Sequence, residues 1–287
     1  MKKFFSLAIC VMAVLFAGCE PNGVANPTKK EIGVFSVSAD KQVTFSQGNL
    51  QYTQSTKTWS FAENQWDYIG TDNVTGGTVS FEEYAGKSKD GTALADKIDL
   101  FGWSTTANNF GVSASEDRDD YYGLFVDWGT NKIGNDAPNT WRTLTCDEWD
   151  YIVSNRPNAS SLKGAAKVNG VNGWIFLPDN WTCPSGITFK PASYNSESVE
   201  AYGLHQTFTA NQWSKLEAAG AVFLPAAGMR SGSKVRDVQY ESRYWSATEY
   251  DDVHACCFVA EPTYMLMYYC DGNYRSKGYS VRLVKNL

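Results

Sequence analysis

The chain predicts an α+β fold built from short antiparallel strands and two helices. Three observations point there. The stretch from Val34 to Phe61 alternates apolar and polar residues in short runs, the period of a half-buried strand. Two later segments, Thr145-Cys-Asp-Glu148 and Thr209-Ala-Asn-Gln212, share a helix-opening grammar, each followed directly by Trp. The end of the chain returns to strand-like runs, Tyr244-Trp-Ser and Gly278-Tyr-Ser-Val-Arg-Leu-Val.

Residues 1–18 read as a secretory leader. Lys2 and Lys3 precede an apolar run from Phe4 to Phe16 that is too short to be a stable membrane span. The run closes on Ala17-Gly18-Cys19, which resembles the bacterial lipobox, with Phe16 where that motif has Leu. The resemblance implies a lipid on Cys19 and anchorage to a membrane without a transmembrane helix. Residues 19–33 are polar, with Pro21, Gly23 and Pro27, and read as a flexible tether. Residues 34–287 show no break in composition and are read as one domain.

Within that domain, Val34 to Ser38, Gln42 to Ser46, Leu50 to Tyr52 and Thr58 to Phe61 are successive strands, separated by polar turns. Thr71 to Asp96 reads as a loop, with at most a short helix near Phe81-Glu-Glu-Tyr, and Asn108 to Asp120 reads as a loop. Thr145 caps a first helix, with Trp149, Ile152 and Val153 on one face, that stops near Arg156 because Pro157 follows. Val171 to Leu177 is a strand. Thr209 caps a second helix, with Trp213 and Leu216 facing inward and Gly220 as its stop signal. Val222 to Gly228 is a strand and Arg230 to Gln239 a loop. Tyr244 to Ser246, Cys257 to Val259, Tyr264 to Tyr269 and Ser280 to Val284 complete the set. The last of these is expected to pair near Val34 to Ser38 and close the frame.

The composition excludes several classes of function. The formal charge is −6, and removing Lys2 and Lys3 with the leader makes it about −8 (−6 − 2). No cluster of Lys and Arg appears, so nucleic acid is not an expected partner. Of seven cysteines, Cys10 leaves with the leader and Cys19 takes the lipid. Cys146, Cys183, Cys256, Cys257 and Cys270 remain, an odd number without Cys-x-x-Cys spacing. With only two histidines, a metal site is not expected, and neither is a cofactor. Either Cys256 or Cys257 can reach Cys270 if their strands are neighbours. No His-Glu-x-x-His or Gly-x-Ser-x-Gly motif marks an enzyme, and no catalytic residue is assigned.

The segment from Tyr250 to Lys277 has the composition of a binding surface. Tyrosine supplies rigid contact area there, and short polar side chains supply hydrogen bonds. The expected ligand contacts are Tyr250, Asp251, Asp252, His254, Cys256, Tyr264, Tyr268, Asp271, Asn273 and Tyr274, projecting as one contiguous face. Calcium is not expected there, since no Asp-x-Asp-x-Asp-Gly run occurs. The tryptophans at 141, 149, 181, 213 and 245 follow helix and strand patterns and are expected in the core.

Several phrases occur together in a telling order: Trp141-Arg-Thr-Leu-Thr-x-Asp-Glu-Trp, Leu177-Pro-Asp-Asn-Trp, Phe223-Leu-Pro-Ala-Ala-Gly-x-Arg, Tyr244-Trp-Ser and Gly278-x-Ser-Val-Arg-Leu-Val. They resemble Bacteroides-type lipoproteins with a C-type-lectin-like domain and the variable proteins of diversity-generating retroelements. Formylglycine-generating-enzyme-like and fibrobacter major paralogous domains look like cousins. The resemblance implies a C-type-lectin-like fold with a small sheet, two flanking helices and long irregular loops. In the diversified members, the segment between Tyr-Trp-Ser and the final strand is the ligand-binding face, which maps onto 250–277 here. The expected function is therefore recognition of an external protein or glycan by a lipid-anchored protein at the outer membrane or cell surface. A glycan-binding lectin or adhesin without diversification is the alternative. An oxidase of the formylglycine-generating type is a further one, although no dedicated cysteine pair marks it.

Overall fold

The two ends of the folded chain meet in one sheet. In the computed structural model, strands Phe35–Ser36, Gln42–Phe45 and Val284–Asn286 lie side by side in that order. The structure describes residues 33–75, 79–81, 87–90, 93–193, 195–270 and 273–287. Residues 1–32, read from the sequence as leader and tether and including Cys19, lie outside the described residues. The closing strand pairs with Gln42–Phe45 rather than with the first strand itself, Val284 opposite Phe45. It also starts later than expected. Residues 278–283 run through the interior and change partner at nearly every step. Tyr279 exchanges backbone hydrogen bonds with Phe101, Ser280 donates to Arg243, and the Val281 and Leu283 carbonyls accept from Leu50 and Ser46. A segment whose bonds go to four places cannot be one strand of one ladder.

The architecture is α+β, with small antiparallel sheets and few helices. A four-stranded sheet runs Thr207–Phe208, Lys163–Val168, Val171–Phe176, Val222–Pro225, with one parallel pairing at its first edge. Lys163–Val168 was not expected from its composition. It joins Val171–Phe176 through Asn169-Gly170, both at positive φ, the pair that a tight hairpin turn demands. A three-stranded sheet follows, Ser242–Glu249, Ala255–Ala260 and Met265–Tyr269.

Two segments read as loops join in a further sheet, ordered Met229–Ser231, Lys234–Arg236, Lys87–Asp90, Val79–Phe81. The physical reason is length. Strands of three or four residues are too short to show a period, and the pairing that joins the two hairpins, Lys234–Arg236 with Lys87–Asp90, spans more than a hundred residues.

Both helices start as the capping grammar dictates. Thr145 accepts from the Glu148 N–H while the Glu148 side chain accepts from the Thr145 N–H, and Thr209 and Gln212 repeat the exchange. The first helix, α1 (Cys146–Asp150), widens into a π-helical turn, Tyr151–Asn155, and ends at Arg156 as Pro157 requires. A short α2 (Ala201–His205) precedes α3 (Ala210–Ala218). Gly220 follows α3 at φ 90°, a conformation that favours glycine.

Period-two alternation divides the interior. From the four-stranded sheet, Trp174, Phe176 and Leu224 face a central cluster with Trp149, Ile152, Tyr244 and Phe258. Ile175, Leu177 and Phe223 face the opposite way, onto Trp213 and Leu216 of α3. The three-stranded sheet divides likewise, sending Tyr244 and Phe258 to the central cluster and Trp245, Cys257 and Val259 to a third cluster with Trp103, Trp128 and Tyr279. The Trp149 ring stacks on Phe258 with centroids 5.1 Å apart. Tryptophans 149, 213 and 245 are buried as expected, whereas 141 and 181 are only partly buried.

Candidate functional site

The hairpin between Glu249 and Ala255 carries an aromatic ridge, exposed at Tyr250 and half-buried at His254 and Tyr274. Tyr250 is 57 % exposed at its crest. The His254 ring lies 4.5 Å from the Tyr274 ring and 6.4 Å from that of Tyr250, centroid to centroid. The Arg118 guanidinium sits over the Tyr274 ring, 3.9 Å from its centroid. The result is a line of four flat groups, Tyr250, His254, Tyr274 and Arg118, that offers π faces and one cation. Asp251 and Asp252 are exposed beside it. Asp251 folds back on the hairpin: it accepts from the backbone N–H groups of Val253 and His254 and faces His254 Nδ1 at 2.9 Å. The His254 hydrogen bond holds the Asp251 carboxyl below its ordinary range.

Beneath the ridge lies Arg275, almost fully buried. Its guanidinium donates to the carbonyls of Asp251 and His254 in the hairpin and to those of Tyr121 and Gly123 in a neighbouring turn. It also pairs with Glu249 at 3.2 Å and stacks 4.4 Å from the Trp103 ring. Five donors in a rigid fork suit one side chain to this job of joining two loops. The second loop adds Tyr122 and Leu124, exposed by 43 % and 74 %. Among the expected contacts, the hairpin and residue 274 supplied the ridge. Arg118, Tyr122 and Leu124 come from Asn108 to Leu124, a region of ordinary loop composition, and only tertiary contact brings them here.

The opposite end of strand Ala255–Ala260 carries a different feature. Six residues of strand, roughly 17 Å, separate His254 from a pocket of 350 Å³ lined by Glu197, Tyr240, Glu241, Arg243, Val259, Glu261, Tyr264 and Leu266. Both Tyr240 and Tyr264 donate their hydroxyls to the Glu261 carboxylate. Arg243 pairs with Glu241 and donates to Asn273 Oδ1 at 3.2 Å. Burial and then the neighbouring Glu241 charge push the Glu261 carboxyl above its ordinary value. This pocket offers carboxylate acceptors beside tyrosine rings.

The structure therefore does not gather the expected contacts into one face. Tyr250, Asp251, Asp252, His254 and Tyr274 come together at one end of the strand, and Tyr264 lies at the other. Two expectations are corrected outright. Cys256 is only 3 % exposed and is joined to Cys270 in a disulfide, so strand alternation turns it inward, away from any ligand. Asn273 is buried as well, where its Oδ1 accepts from Arg243 and from the Tyr279 hydroxyl. Asp271 and the Tyr268 side chain lie outside the described residues. The pairing of Cys270, open between Cys256 and Cys257 on sequence grounds, goes to Cys256. Cys257 faces the opposite way, beside Trp245 and Val259, and burial pushes its thiol up to about 12.

Among the described residues, one group of metal-ligating types converges, Cys146 with Cys256 and Cys270, and two of its sulfurs are already bonded to each other. No described helix is long and apolar enough to cross a membrane. Comparison with protein-family models, with curated proteins and with solved structures finds no match.

Proposed function

We propose that the chain is a lipid-anchored binding protein with a C-type-lectin-like domain, held at the outer membrane or cell surface through Cys19. It recognises an external protein or glycan through the Tyr250–His254–Tyr274–Arg118 ridge. The observation that carries this reading is a row of flat side chains, exposed at Tyr250 and Arg118 and half-buried at His254 and Tyr274, on a rigid base. Arg275 binds four backbone carbonyls of the two loops beneath it, so little ordering is left to do on binding. The mechanism is recognition: stacking on Tyr and His, with hydrogen bonds from Arg118 and acceptance by Asp251 and Asp252. The α+β arrangement of small antiparallel sheets and the meeting of the first and last strands support the fold assignment.

The test displays the chain to a glycan array and to a random-peptide phage library. Retention of a glycan or peptide class that falls at least about tenfold in Tyr250→Ala, Tyr274→Ala and Arg118→Ala is the expected result. Lys285→Ala, on the exposed part of the closing strand, should bind as the wild type does. No retention on either display, or equal retention by the ridge variants, would refute the ridge as the binding surface.

The 350 Å³ pocket favours a second reading, a glycan-binding lectin acting at the other end of the strand. Carboxylates accept from sugar hydroxyls, and Tyr264, 41 % exposed at the rim, offers a stacking face. Glycan binding lost in Tyr264→Ala and Glu241→Gln but kept in Tyr274→Ala would move the site there. Copper-dependent oxidation of a substrate cysteine would instead establish the oxidase.

A further inference from the structure

We propose that Cys146, Cys256 and Cys270 form a thiol–disulfide exchange centre, in which one cross-link moves among three sulfurs. The Cys256–Cys270 bond joins strand Ala255–Ala260 to the residue just after strand Met265–Tyr269. The Cys146 sulfur, on the first residue of α1, lies within 4.8 Å of both. The three side chains make a small buried cluster of their own, apart from the larger ones. The helix start is fixed over the sheet: the Cys146 N–H donates to Thr248 Oγ1 at 2.9 Å, and Thr248 belongs to the strand paired with that of Cys256. No segment needs to unfold for the third sulfur to meet the disulfide.

The step is balanced within the centre. The Cys146 thiol loses its proton, and the thiolate attacks one sulfur of the disulfide. One S–S bond forms, to Cys256 or to Cys270, and the original S–S bond breaks. The displaced sulfur leaves as a thiolate and takes up a proton. Two electrons stay within the three sulfurs, so neither an oxidant nor a reductant is consumed. Cys257, adjacent in sequence, is no party to this, because strand alternation places it on the other side of the sheet.

Moving the bond changes what it holds. The native cross-link closes a separation of 14 residues and fastens the chain just before Asn273 and Tyr274. A Cys146–Cys256 bond ties the strand to α1 instead and releases residue 270. The path into the ridge then has one anchor fewer. That consequence rests on the ridge as binding surface; the exchange does not.

The experiment uses the full chain in glutathione redox buffer near neutral to mildly alkaline pH, quenched in acid, alkylated and mapped without reduction. Wild type should yield the Cys256–Cys270 peptide pair as the main species, with a minor pair containing Cys146. Cys270→Ser should yield Cys146–Cys256 in most molecules, and Cys256→Ser should yield Cys146–Cys270. Cys146→Ser should yield the native pair alone. Folded Cys270→Ser and Cys256→Ser proteins, judged by wild-type near-UV circular dichroism, that leave Cys146 fully alkylated would overturn the proposal. Should neither variant fold, the wild-type map decides: a Cys146-containing pair supports exchange, and its absence after a day in the buffer defeats it. Failure of ridge variants to lose binding leaves this map unchanged, so the two readings fail separately.

Discussion

Arg275 shows how much can depend on one side chain that composition does not flag. In sequence it is one basic residue in a polar stretch. In the fold it is buried, stacked on Trp103, and bonded to carbonyls of two loops. Arg275→Lys keeps the charge but not the fork, so it should lose most of these bonds and cost about 2–3 kcal/mol, read as a shift in the urea midpoint. Asp99 makes a different point. It is fully buried, accepts from the Ile69 N–H and Asn73 Nδ2, and burial raises its pKa from 3.8 to about 6. The folded protein therefore keeps a proton between about pH 4 and 6 that the unfolded chain gives up, and this group's contribution to stability falls as pH rises through that window. The span, 6 − 3.8, corresponds to about 3 kcal/mol. In Asp99→Asn the urea-derived stability should decline less from pH 4 to pH 6 than in the wild type; an identical decline would mean that Asp99 does not hold the proton.

At the scale of elements, legibility followed locality. The two capping boxes need only residues three apart, and both formed as reciprocal pairs. Thr209→Ala should cost about 1 kcal/mol, seen as a lower thermal midpoint, because the Gln212 N–H loses its acceptor. The hairpin at Asn169-Gly170 carries a turn signal in its sequence, but the Lys-Gly-Ala-Ala-Lys-Val run before it lacks the apolar alternation that marks a strand. Strands Val79–Phe81 and Lys87–Asp90 carried none. Val79–Phe81 pairs with Lys87–Asp90, which in turn pairs with Lys234–Arg236, and no local pattern encodes that second pairing. The same contrast divides the ridge. Tyr250, Asp251, His254 and Tyr274 stood out by residue type, whereas Arg118 and Leu124 belong to a distant loop whose arrival no window of sequence announces.

For the molecule as a whole, buried polar links join distant parts of the chain. Arg282 is fully buried, and its guanidinium donates to Gln65 Oε1 at 2.6 Å and Asn49 Oδ1 at 3.3 Å. Gln65 in turn accepts from the Phe223 N–H and donates to Glu217 and the Ala221 carbonyl, so one network reaches the first strands, α3 and the closing segment. Burial lowers the Arg282 pKa to about 10, which leaves it charged at neutral pH. Arg282→Ala removes a cation that two buried side chains accept from. It should lower stability by about 3 kcal/mol without altering ridge binding at temperatures below the melt. If the anchor is as proposed, labelled palmitate should enter the wild-type chain in a bacterial host and be lost in Cys19→Ser.

The amino-acid order alone determined where the two capped helices start and stop, which of their tryptophans turn inward, and that the segment 250–277 is unusual in composition; it did not announce the short α2. Each of these depends on neighbours within a few positions, where backbone geometry sets the period. Tertiary structure decided the rest. It chose Cys256 over Cys257 for the disulfide, buried Asn273, separated Tyr264 from Tyr250 by the length of a strand, and carried Arg118 to Tyr274. Those outcomes turn on which strands become neighbours and which face of each is covered, and contacts between residues far apart in the chain set both.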